Sequence, residues 1–296
     1  MKQGIKSPRG NSQWSGELKG MGDKVVINSV PTLTVNKYVV GQGLTYEVPT
    51  PSTIELTIDQ GLYFAFQVND VLEYQAKPNL MSTFSDDAGM QMKIKVDSAC
   101  LFNLALNSSY GTPASGNSGA TAGVKSGAYN LGTNTAPVTL TGSNVLQMLT
   151  SFSGVLDEQN VPENERFLLI DPYTRNLLMQ SNLAQAQFMG DSQSMVRNGK
   201  IGMIDRFTTY VSNNLPKGAA TAAMTSGDGT ETTGATHSAA RRLLIAGHKS
   251  AFTFASQITK TEQVRNPYDF GDYIRSLNVF GFKATKTEAF AIAYVS

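Results

Sequence analysis

Charge is the first thing this chain is short of: Asp, Glu, Lys and Arg make up 16% of its 296 residues, against about 25% in an average soluble protein. Surface that would carry charge is either Ser, Thr, Asn, Gln and Gly or is covered by partners, and coverage is the favoured expectation. The 24 basic and 23 acidic residues leave a net charge of +1, which argues against the avid nucleic-acid binding of a basic domain. Cys100 is the only cysteine, so an intrachain disulfide and a disulfide-stapled secreted scaffold are excluded. The two histidines, His237 and His248, leave little for metal or acid–base chemistry. No apolar run approaches the ~18 residues of a membrane span, and Met1 to Gly20 is polar, unlike a signal peptide. The expected starting compartment is a cytoplasm, with no membrane partner.

What is present begins with a thin β excursion from Gly22 to Ala76. Val25–Ile27, Leu33–Val35 and Thr53–Ile58 have strand-like spacing, punctuated by Asn28, Pro31, Gly41, Gly43, Pro49 and Pro51. So extended a segment with so few large apolar side chains closes no core of its own, and a neighbouring copy is its expected support. Ahead of it, residues 1 to 21 read as an arm with Lys2, Lys6 and Arg9 unopposed by acid before Glu17, and with the sole tryptophan, Trp14, as its anchor. Asp59-Gln60-Gly61 turns into an aromatic strand, Leu62 to Val68, expected to be buried. Met81, Phe84, Ala88, Met92, Val96, Ala99, Phe102 and Leu106 then recur at helical spacing and predict a helix over about Leu80 to Leu106, with Ser82 or Ser85 as cap. Residues 107 to 142 and 216 to 240 are Gly, Ser, Thr and Ala rich and read as surface loops. Between them lies an α/β unit. It holds a helix led by Ser143, with Val145, Leu149, Phe152 and Leu156 on one face. The continuous strand Phe167–Ile170 follows, and then a helix capped by Asp171 with Pro172 in its first turn. Ile201–Asp205, Phe207–Ser212, the all-apolar Arg242–Gly247, Tyr273–Phe282 and Ala289–Val295 complete the predicted strands.

Chemistry is sought and not found, so no catalytic, cofactor-binding or metal-ligating residue is assigned and the chain reads as no enzyme. Asp171 and His248 follow central strands, as a hydrolase acid and base do, but no Gly-x-Ser-x-Gly nucleophile exists: Gly116-Asn117-Ser118-Gly119 has the wrong spacing. Gly247-His248-Lys249-Ser250 lacks the earlier glycine of a phosphate loop, and Gly199-Lys200-Ile201 lacks its hydroxyl. Cys100 reads as a core residue and Asp86-Asp87 as charge in a helix's first turn. Asp228-Gly229-Thr230-Glu231 lacks the alternating ligands of a calcium loop, and Asp70 with Glu73 is a solvated strand end.

The order of parts, short arm, long β loop, long helix, compact α/β segment and β return, resembles the major capsid proteins of tailed bacteriophages with the HK97-type fold. Trp14-Ser15-Gly16-Glu17 with Gly22-Asp23-Lys24-Val25 is similar to that family's lead into its extended loop. Phe64 to Val71 followed by Gln75-Ala76 is similar to the passage into the spine helix, and Ser212-Asn213-Asn214-Leu215-Pro216 to the close of the axial-domain hairpin. Thr287-Glu288-Ala289 departs from the Pro-Glu-Ala of many relatives. The resemblance implies an α+β, HK97-like capsid fold: N-terminal arm 1–22, extended β loop 23–70, peripheral domain with spine helix 71–142, axial domain 143–254 and β return 255–296. It also implies self-assembly as hexamers and pentamers into an icosahedral shell around double-stranded DNA, without catalysis or cofactor. Implied partners are many copies of itself, a separate scaffolding protein, a portal, a decoration protein, and packaged DNA touched non-specifically at the inner face. Its implied location is the virion, after assembly in the host cytoplasm. Some members cross-link through Lys and Asn, which would make Lys24 or Lys37 donors. A tail or array subunit is the competing structural reading.

Overall fold

A computed structural model describes residues 24–29, 33–44, 46–70, 74, 80–181, 202–219, 222–236 and 240–296. The arm residues Lys2, Lys6, Arg9 and Trp14, and the motif residues Gln75, Ala76, Gly199 and Lys200, lie outside the described set. Among the described residues no helix is long and apolar enough to cross a membrane.

The main core gathers around a mixed sheet of eight strands. At its centre is β10 (Arg241–His248), antiparallel to β13 (Phe290–Val295) along one edge. The other edge pairs β4 (Arg166–Ile170) at one end and β7 (Lys217–Gly218) at the other. β6 (Phe207–Val211) runs parallel to β4, with β5 (Met203–Ile204) outside it. Every residue of β4 is buried, as a continuous apolar strand in a covered sheet requires. Helix α2 (Val145–Glu158) buries Val145, Leu149, Phe152 and Leu156 against this sheet, the predicted face. Asn144 rather than Ser143 holds its N-cap position, and the Asn144 side chain accepts from the Thr141 backbone N–H ahead of the helix instead of capping the first turn. Asp171 caps α3 (Pro172–Gln180) by accepting from the Thr174 N–H at 3.0 Å, with Pro172 at the helix start.

Neither small-residue segment is a surface loop. Residues 107–142 are irregular, yet Asn117, Ala122, Leu131 and Leu140 are buried. Ala122, Leu131 and Leu140 join the main core, and hydrogen bonds add to that burial: the Asn117 amide donates to the carbonyls of Glu288 and Phe290, and its backbone carbonyl accepts from Ile292. The segment 216–240 forms β7, β8 (Ala223–Thr225) and β9 (Thr232–Thr236), which extend the mixed sheet. Composition points to neither segment folding alone, and both dock on a core made elsewhere, through Ala122, Leu131 and Leu140 in the one and Met224 in the other.

The second body is a three-stranded antiparallel sheet with β12 (Gly271–Ala284) between β11 (Phe252–Arg265) and β3 (Gln60–Asn69). β11 is a strand that the apolar pattern did not single out, because Ser256 to Gln263 is polar or charged at every position but Ile258; it also crosses the expected boundary at 254/255. Against this sheet packs α1 (Leu80–Leu106), 27 residues and about 40 Å long. Ser82 and Ser85 lie inside the helix, not at its cap position. Its burial is lopsided. Nine of its residues between Val96 and Ala105 are buried, but of the predicted stripe only Val96 and Phe102 are among them; Met81, Ala88, Met92, Ala99 and Leu106 are half-buried and Phe84 is exposed. The aromatic strand β3 is likewise not buried throughout; it lies at the edge of its sheet and alternates half-buried with exposed residues.

Candidate assembly surface

The β excursion becomes a two-stranded ribbon and a long free tip. β1 (Lys24–Ser29) and β2 (Ser52–Thr57) pair antiparallel, Lys24 opposite Thr57 and Ser29 opposite Ser52. Leu33–Val35, expected as a strand, joins no sheet among the described residues. A β-turn closes the tip: the Gln42 N–H donates to the Val39 carbonyl, and Gly41 takes φ +89° at the third position, where glycine is favoured. Across the two arms, the Thr34 N–H donates to the Glu47 carboxylate.

The tip is apolar and uncovered. Val35 is 95% exposed, Tyr46 86% and Val48 85%, and Leu33, Tyr38, Val40 and Leu44 are exposed with them. A contiguous array of this kind on one chain marks a surface for another macromolecule.

The root of the loop is fixed. Leu56, Ile58, Ala255 and Val279 form a small core of their own, with Ile27 against it. Tyr110 latches the turn that leads out of the ribbon: its hydroxyl donates to Asp59 at 2.7 Å and accepts from Gln60 Nε2 at 2.7 Å, while its ring lies 4.7 Å from that of Phe282. Burial, and then the hydrogen bond and charge of Asp59, push the Tyr110 phenol up to about 12. A second exposed apolar point lies at the β11–β12 turn, where Tyr268 is 94% exposed beside Phe270. The Asn266 side chain accepts from the Tyr268 N–H and holds this turn; Asn266-Pro267 ahead of two aromatics was the sequence signal for it.

The residues weighed for chemistry do not converge. Because β4 and β10 are antiparallel, with Arg166 opposite His248, Asp171 and His248 sit at opposite ends of the sheet, roughly 16 Å apart along it. Asp171 is occupied as a helix cap and His248 bonds Ser250. Cys100 is buried, its thiol pushed up by burial and then by Asp97. Asp228 and Glu231 clasp α1 instead of a metal. Asp228 accepts from Ser98, Ser226 and Thr230 and pairs with Lys95 at 3.0 Å, and Glu231 accepts from Asn103 at 2.6 Å. Burial raises the Asp228 carboxyl, but the hydroxyls of Ser226 and Thr230, with Lys95 and Ser98, outweigh it and hold the group below the usual range. Asp70 pairs with Arg265 across the β3–β11 end. Lys24 pairs with Glu55 at 2.8 Å on the ribbon, which leaves Lys37 as the exposed lysine of the tip. Asp86 and Asp87 lie on the exposed half of α1.

A family model described as phage capsid protein matches residues 52–294. The chain belongs to the phage capsid protein family. No curated protein matches the sequence at a significant level. Among solved structures the capsid protein is similar to a Mycobacterium phage Che8 chain, at 21% identity over 96% of this chain and 88% of that one, with a TM-score of 0.69. It is also similar to the capsid of cyanophage P-SCSP1u, at 18% identity over 93% and 84% with a TM-score of 0.66. The mature capsid of bacteriophage PhiM1 gives 14% over 92% and 82%, with a TM-score of 0.64. The fold is the α+β, HK97-like capsid fold. The uncovered loop, the exposed half of α1 and the aromatic turn therefore belong to a protein of phage shells, a structural family and not an enzyme family.

Proposed function

We propose that this chain is the shell-forming major capsid protein of a tailed phage, assembling as hexamers and pentamers into an icosahedral shell that encloses double-stranded DNA. The observation that carries the reading is the 33–51 tip: apolar, extended, and anchored only at its root, so that burial against an adjacent subunit is where it gains stability. The reading divides the chain into arm 1–22, extended loop 23–70, peripheral domain 71–142, axial domain 143–254 and β return 255–296. Near-neutral net charge lets many copies approach without strong repulsion. The basic arm, with Lys2, Lys6 and Arg9, faces the interior and the packaged DNA. Scaffold, portal and decoration proteins are separate chains, and assembly takes place in the host cytoplasm before the protein resides in the virion.

Deleting Gly41 to Pro51 tests the reading. Negative-stain imaging and circular dichroism should show a folded, soluble subunit that closes no shells; shells at normal yield would overturn the role of the loop.

A further inference from the structure

The two edges of the three-stranded sheet are built differently. β11 carries Lys260, Glu262 and Arg265, and its register shifts between Ile258 and Lys260; charge and a bulge are what keep an edge strand from pairing with another chain. β3 has neither. From Gln60 to Val68 it holds no charged residue and no proline, and its register with β12 is unbroken. Alternate residues of an antiparallel strand turn their N–H and C=O groups to opposite sides, so every second pair of groups faces away from β12. Among the described residues, no backbone hydrogen bond reaches that outer side between Leu62 and Val68. Tyr63, Ala65 and Gln67 are exposed along the same stretch.

The chain also carries a strand-like segment with no strand to join. Leu33 and Val35 alternate with Thr34 and Asn36, and the structure gives residues 33–37 neither helix, turn nor ladder. The Thr34 N–H is turned inward, to the Glu47 carboxylate at 3.2 Å. In an extended chain the N–H groups of Leu33, Val35 and Lys37 then point outward. Nothing in its own subunit covers the segment, since Leu33 is 61% exposed and Val35 almost fully so.

We propose that the outer edge of β3 accepts residues 33–37 of a second copy as an added strand, so that the sheet of one subunit continues into the loop of the next. In strand addition the main-chain bonds supply the attachment and alternate side chains the specificity. Five residues span about 17 Å, roughly half the length of β3. One surface of the chain thus offers an edge without a partner, and another offers a strand without one. Lys37 is the only charge in the segment and meets no like charge on β3, whereas the β11 edge would set it near Lys260 and Arg265, beside a bulge. The inference rests on the shell-forming reading for its second copy, and it names the surface on which that copy's loop is seated.

The test is residue-resolved amide hydrogen exchange on the full-length subunit, titrated with an acetylated and amidated peptide of residues 33–40. Every second amide of β3 between Leu62 and Val68 is expected to slow by roughly tenfold or more at saturation, with β11 unchanged. Methylating the peptide's nitrogen at Val35 or Lys37 removes an outward donor and should abolish this protection, while methylating it at Thr34 or Asn36 should leave the protection in place. No protection of β3, or equal protection by all four methylated peptides, overturns the proposal. In closed shells the same amides should be slow without any peptide. Shells that close while these amides exchange as fast as in the free subunit refute the added strand and leave the shell-forming reading intact. Subunits that bind the peptide at β3 but never close shells do the reverse.

Discussion

Gly281 lies directly under Thr57: a Cβ built on Gly281 would stand 2.2 Å from the Thr57 carbonyl oxygen. The end of the loop's second strand thus crosses β12 with backbone against backbone, and no side chain can be accommodated between them. Gly281→Ala forces the ribbon's root off the sheet. The expected cost is about 1–3 kcal/mol by denaturant unfolding, together with a reduced yield of closed shells. An unchanged midpoint would mean that the crossing relaxes freely.

Tyr110 reaches the same root from the other side. Tyr110→Phe keeps the ring against Phe282 but leaves Asp59 without its donor and Gln60 without its acceptor. A loss of about 1–3 kcal/mol is expected, since two hydrogen bonds go and one of them is to a carboxylate, measured by urea unfolding. Spectrophotometric titration of the wild type should find one tyrosine ionising near the value of about 12, absent from the variant.

Asp97 makes stability depend on pH with a sign opposite to that of a salt-bridged carboxylate. The unfolded chain releases this proton near 3.8, while burial in the folded chain holds it to about 7, so the folded state holds more protons in between and stability falls as pH rises through that window. The gap corresponds to at most about 4 kcal/mol above pH 7. Asp97→Asn should therefore unfold later than wild type at pH 8, with the difference shrinking steadily as pH falls towards the unfolded value near 3.8. A difference that does not vary with pH would show that Asp97 does not titrate in this way.

Arg166 and Arg206 share Asp157 but not its surroundings. Arg166 is fully buried, pairing with Asp157 at 2.7 Å and donating to the Val161 and Pro162 carbonyls; Arg206 pairs at 3.1 Å while partly exposed. Arg166→Ala should cost about 2–5 kcal/mol, since it deletes a fully buried side chain and leaves a void. Arg206→Ala should cost about 0–1 kcal/mol. Comparable losses by thermal or urea unfolding would contradict the burial argument.

Apolar periodicity made the frame legible: α1 occupies the predicted Leu80 to Leu106, and β4, α3 and β10 lie where their runs and caps place them. The uncovered tip was legible too, as apolar residues too sparse for a core. Pairings that depend on partners distant in sequence were not. β11 is polar over Ser256 to Gln263 but for Ile258, and becomes a strand because β12 zips along it. Asn117 looked like loop filler and is a buried staple to β13, 171 and 173 residues away. The burial of Asp97 needs a helix and a sheet to meet, and no local spacing encodes that.

The lopsided burial of α1 has a mechanical consequence. Gripped over Val96 to Ala105 and only lightly supported from Leu80 to Lys95, the helix is a cantilever whose lightly held arm is roughly 24 Å long. A tilt of a few degrees at the clamp carries its far end through about 2 Å, so neighbours seated at different angles can be met by pivoting one rod, without repacking the core at its base.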